Sequence, residues 1–104
     1  NNCNMRLRQE YIYKKTLEKT IERIKMGEED KNKLMEEIDF KYMRSNCYIH
    51  ATFQRKEFKP LFKKMCFTFP QYISYKDYIT YYLYRLKILP FLSPVFNFIR
   101  QLLK

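Results

Sequence analysis

Between Arg44 and Lys76 the chain repeatedly sets cations beside aromatic rings. Arg44, Arg55, Lys56, Lys59, Lys63, Lys64 and Lys76 are interleaved with Phe53, Phe58, Phe62 and Phe67. Lysine and arginine at this density neutralise phosphates, and flat rings among them either fill apolar positions or stack on unpaired bases. His50 lies three residues after Cys47, the one arrangement suggesting a thiolate–imidazole pair. The chain has a single His and a single Gly, so neither a second histidine nor a glycine-rich turn completes a nucleophilic or phosphate-loop site. His50 reads instead as a hydrogen-bonding or phosphate-contacting group. The residues point to binding, and the chain is expected not to be an enzyme.

The elements that must carry these side chains fit one small structural unit. The 104 residues hold 21 basic and 11 acidic groups, a formal charge of +10, with 46% apolar residues, too many for a disordered tail. Residues 1–43 are nearly balanced, at +1. Residues 44–104 retain only Glu57 and Asp77 as acids and carry +9. Such a surplus repels itself until a polyanion meets it. Nucleic acid does so with a gain from counterion release, and an anionic membrane surface is the competing possibility. No uncharged stretch reaches the roughly 18 residues of a membrane span, because Arg85 and Lys87 interrupt the apolar C-terminal third.

Cys3, Cys47 and Cys66 are odd in number, widely spaced and without a C-x-x-C pair, so free thiols are expected and no metal site. The aromatic content has a bland source as well. Asn, Lys, Ile, Tyr and Phe are the residues an AT-biased genome favours, and many rings are expected simply to fill apolar positions.

Periodicity supplies the elements. Tyr13, Leu17, Ile21 and Ile24 place one face on a first helix, which Gly27 is expected to close in the left-handed conformation. Glu28, Glu29 and Asp30 suit the positive end of a second helix, carrying Leu34, Met35, Ile38 and Tyr42. The expectation for 1–43 is a helical hairpin. Residues 44–73 lack a clean period and read as an irregular basic RNA-binding segment, with 47–53 able to extend. Residues 74–104 read as two short helices. Ser74 with Asp77 forms a capping-box pattern before Tyr78, Tyr82, Leu83 and Leu86. Ser93-Pro94 opens the last helix, with Val95, Phe98, Ile99, Leu102 and Leu103. The fold class is therefore mainly α, with its order completed by packing on RNA.

Read in order, several short elements carry a resemblance. Arg6 to Ile24 forms a basic N-terminal helix, Glu28-Glu29-Asp30 an acidic turn, and Arg44-Ser45-Asn46-Cys47 an Arg-x-x-Cys element. His50-Ala51-Thr52 falls where a Thr-Gly-Arg loop would lie, and Phe58 to Phe62 on a Phe-containing basic stretch. Ile73-Ser74-Tyr75 takes the place of Leu-Ser-Arg opening a helix, and Leu89-Pro90-Phe91 that of a Leu-Pro-Gly tail. The chain thus resembles the bacterial-type, zinc-free small-subunit ribosomal protein fourteen family, in a divergent mitochondrial form. Thr52 and Tyr75 stand where that family has arginines, and Ala51 and Phe91 where it has glycines.

The resemblance implies a structural protein of the small-subunit head in a mitochondrial matrix ribosome. It would bind ribosomal RNA and touch neighbouring ribosomal proteins, with no cofactor and no small-molecule substrate. The expected RNA-binding residues are Arg6, Arg8, Lys14, Lys15, Arg44, His50, Arg55, Lys56, Lys59, Lys63, Lys64 and Lys76. Two rivals are an accessory peripheral subunit of a mitochondrial inner-membrane complex, lying on the bilayer through Ile88 to Ile99, and a small protein-interaction module.

Overall fold

A computed structural model describes residues 2–87 together with 94, 98, 99, 101 and 102. Four helices account for most of them: α1 (Asn2–Arg23), α2 (Glu28–Thr52), α3 (Phe58–Thr68) and α4 (Tyr75–Arg85), with no strand among the described residues. The chain is mainly α. Of the expected last helix, Val95 and Leu103 lie outside the described residues, while Phe98, Ile99 and Leu102 are exposed.

Helices α1 and α2 form the expected hairpin, but with a different seam. Cys3, Leu7, Glu10, Lys14, Leu17 and Ile21, all covered, recur along α1 at alternating steps of four and three that follow a coiled-coil repeat, with Arg6 and Glu18 half-buried beside them. Tyr13 and Ile24, expected on the inner face, are exposed. Lys14 takes an inner place because its ammonium lies over the Tyr42 ring, Nζ 4.8 Å from the centroid, and reaches Asp39 Oδ1 at 3.3 Å. A long amphipathic side chain covers apolar surface in this way while its charge stays wet.

Gly27 does not close α1. It has φ −63° and ψ 152° and stands as the N-cap of α2, its carbonyl accepting the Lys31 N–H at 3.0 Å. The acidic triplet that follows occupies the first turn of α2, where the helix dipole favours negative charge.

The expected irregular segment is corrected to helix. Helix α2 runs unbroken through 44–52, with no glycine or proline to interrupt it. Its second half is packed on two sides, by α1 and by α3 with α4. Cys47, Ile49 and Ala51 are consequently all buried. A helix covered on more than one side shows no single apolar stripe, which is why this stretch lacks a readable period. Residues 58–68 are helical as well. Phe58, Phe62, Met65 and Phe69 recur at four, three and four and are all buried, a stripe disguised by the lysines between them. Pro60 falls in the first turn, where a missing N–H breaks no helical bond.

The core lies where α3 and α4 meet the second half of α2. Phe40, Cys47, Ala51, Phe58, Phe62, Met65 and Phe69 form it, with Tyr72, Tyr81 and Tyr84 packed alongside. Helix α4 starts at Ser74 as expected: Asp77 Oδ2 accepts the Ser74 N–H at 3.0 Å, the returning half of a capping box. Of the expected inner face only Leu83 packs against the core. Asp77, Tyr81 and Tyr84 turn inward, whereas Tyr78, Tyr82 and Leu86 are exposed. The helix ends where Lys87, at φ 59°, donates its N–H to the Tyr84 carbonyl at 3.1 Å.

Candidate nucleic-acid interface

The twelve expected contact residues divide into cations spent within the fold and cations left to solvent. Arg44 belongs to the first group. Its Nε donates to Asp77 Oδ1 at 2.9 Å and its Nη2 to Asp77 Oδ2 at 3.0 Å, while the guanidinium lies 4.4 Å from the Phe40 ring centroid. This bidentate bond joins α2 to α4 and neutralises a carboxylate that is only 4% exposed. Two parallel N–H···O⁻ bonds are the strongest geometry such a pair can take.

Arg55 is also engaged. Its Nη1 donates to Cys3 Sγ and to Asn4 Oδ1, each at 3.4 Å, and its Nε pairs with Glu57 Oε2 at 3.3 Å. Its backbone carbonyl accepts the Tyr84 hydroxyl at 3.0 Å. Arg55 therefore ties the start of α1 to the α2–α3 loop, and the guanidinium is held charged by these same partners. Lys14 is paired across the hairpin as described, and Lys15 pairs with Glu18 at 3.4 Å on its own helix.

His50 is half-buried on α2, and burial followed by the nearby Arg55 charge pushes its imidazole below the usual histidine range. Burial and the Arg55 charge both disfavour its cationic form. Its buried Nδ1, like Asn46 Oδ1 one turn earlier, has no hydrogen-bond partner among the described residues. Cys47 lies in the core, and burial pushes its thiol up to about 12. It stays protonated and packs as a small apolar group. All three thiols are free, and no cluster of three potential metal ligands occurs among the described residues.

Arg6, Arg44 and Lys76 are brought together. They line a cleft of about 400 Å³ formed by all four helices, together with Phe58, Phe62 and Met65. Glu10 and Asp77 share its wall, so the cleft is mixed in sign. Its cations are partly answered from within, Arg6 in addition lying 5.9 Å from the Phe53 ring centroid.

The open cations are concentrated elsewhere. Lys56, Lys59, Lys63 and Lys64 are all exposed along α3 and the loop before it, and Lys76 and Arg8 are exposed on α4 and α1. From Phe58 to Lys76 the sequence contains no acid. Among the described residues no carboxylate pairs with any of these lysines. Buried Phe58, Phe62 and Met65 fix the inner side of α3, so its lysines must stand on the outer side as a ridge. Phe67, 88% exposed, stands at the end of that ridge. Arg85 and Lys87 are exposed cations the sequence reading does not select. Their position at and just past the acid-free end of α4, eight and ten residues after Asp77, is the signal that marks them.

No helix among the described residues is long and apolar enough to cross a membrane. Comparison with family models, with curated proteins and with solved structures returns no match.

Proposed function

We propose that this chain is a structural, RNA-binding constituent of the small subunit of a mitochondrial ribosome, seated against ribosomal RNA in the subunit head beside neighbouring ribosomal proteins. The observation that carries the reading is the α3 ridge. Three lysines, Lys59, Lys63 and Lys64, project from an acid-free helix whose opposite side is locked into the core, with Lys56 in the loop just before it, so the charge cannot be relieved by rotation or by an internal partner. A helix built this way is stabilised by an external polyanion, and phosphate groups supply the densest one. The engaged arginines support the same reading indirectly: Arg44 and Arg55 stiffen the α2–α3–α4 unit and hold the ridge in place. Ser74 opens a helix at the place the resemblance gives to Leu-Ser-Arg, whereas His50-Ala51-Thr52, set against its Thr-Gly-Arg loop, lies within α2.

The test is sedimentation of the tagged chain through sucrose gradients at moderate salt. The chain is expected to travel with small ribosomal subunits and to leave them as salt is raised. Recovery in detergent-extracted membrane complexes, with none in the subunit peak, overturns the proposal in favour of a peripheral membrane subunit.

A further inference from the structure

Helix α4 is apolar on two sides. Its inner side, through Asp77, Tyr81 and Tyr84, is accounted for by the core. On the other side Tyr75, Tyr78, Ile79, Tyr82 and Leu86 are 70%, 50%, 47%, 61% and 66% exposed. At 100° per residue these five fall within an arc of about 100°, directly opposite the buried face. Three are tyrosines, and two of the rings are steadied from beneath. Tyr78 meets Phe62 edge-on at 6.1 Å, and Tyr82 meets Tyr81 at 6.3 Å. The stripe has cations on both flanks, Lys76 and Lys87 to one side and Arg85 to the other. The only acid on the helix, Asp77, is turned inward and bonded to Arg44.

We infer that the Tyr75–Tyr78–Tyr82 row is a stacking platform for unpaired bases of a single-stranded RNA segment, with Lys76, Arg85 and Lys87 meeting the adjoining phosphates. The inference deepens the reading above and rests on it. Charge complementarity selects the occupant: a stripe of rings fenced by cations, with no exposed carboxylate on its helix, suits a polyanion that carries flat faces. The spacing selects single strands over duplex. Steps of three and four residues climb the helix axis by about 4.5 and 6 Å. That exceeds the roughly 3.4 Å repeat of a stacked strand and suits bases drawn apart. Sequence-tolerant stacking of this kind is strong enough for each ring to matter.

The probes are an oligouridylate of about 12 nucleotides and an RNA duplex of equal length, titrated against the full-length chain and against Y75L and Y82L. Leucine keeps the exposed apolar surface and removes the ring, and circular dichroism checks that both variants remain folded. Each substitution is expected to weaken oligouridylate binding by about tenfold and to leave duplex affinity unchanged. Native-like oligouridylate affinity in both variants, with binding still lost when Lys63 and Lys64 become glutamine, overturns the platform and leaves the RNA-binding reading standing. Loss of oligouridylate and duplex binding alike in the leucine variants also overturns it. Absence of binding to either RNA by the native chain removes the reading on which it rests. Tight binding of the native chain to anionic lipid vesicles, lost in Y75L and Y82L while RNA binding is not, assigns the stripe to a membrane surface and overturns the inference.

Discussion

Replacing Phe58 by alanine is expected to lower the unfolding free energy by about 3–5 kcal/mol. Phe58 has no exposed surface and sits where three helices converge. Its ring centroid lies 5.5 Å from that of Phe62 on α3, and 6.0 and 4.4 Å from those of Tyr81 and Tyr84 on α4. Truncation removes both the burial of the ring and the partners' contacts. The neighbouring rings are themselves fixed, Tyr84 by its hydrogen bond to Arg55, so the cavity closes poorly. Small domains have about 5–15 kcal/mol in hand, and the variant is therefore expected near the limit of folding. Urea unfolding reads the change as a fall in midpoint at unchanged slope. Phe67→Ala in the same assay is expected to shift stability by no more than about 0.5 kcal/mol, since that ring lies in solvent. Equal losses at the two positions would contradict the placement of the core.

Asp77→Ala is expected to cost about 3 kcal/mol. One carboxylate serves two elements: it accepts both Arg44 bonds and caps the first turn of α4 through Ser74. Its removal leaves a part-buried guanidinium without its counter-charge and the helix start without the returning half of its capping box. Arg44 is 38% exposed at its side chain, so water relieves part of the loss and keeps it below the upper range for a fully buried pair. Arg44→Ala is expected to do comparable harm, because it strands the buried carboxylate. A double-mutant cycle should then give a coupling of about 1–3 kcal/mol, the double variant losing less than the two singles predict. Independent, additive effects would show that the pair does not join α2 to α4.

Where sequence reading succeeded and where it failed follows from geometry. Ser74 with Asp77 is a local pattern, and a local pattern is legible. The lysines on α3 were legible for a similar reason: a run without acids stays basic however it folds. Arg44 and Asp77 are 33 residues apart, and nothing short-range announces that one consumes the other. The same hidden pair explains the wrong face on α4. A helix apolar on two sides offers two stripes, and periodicity cannot choose between them. An aspartate facing inward looks forbidden until its arginine is found. In α2 the second half is covered by different helices on different sides, and the period dissolves. Gly27 misled because glycine serves both helix ends, and here the extended N-cap took it.

The surplus of charge beyond the hairpin is the centre of the account, and its salt dependence is the most direct measurement of it. Affinity of the chain for a single-stranded RNA is to be followed from low to moderate salt, beside a variant with Lys56, Lys59, Lys63 and Lys64 all changed to glutamine. The native chain is expected to show log affinity falling linearly with log salt, and the variant a slope shallower by about 3. A slope that is the same in both proteins, or affinity indifferent to salt, would contradict the assignment of the α3 ridge to phosphates.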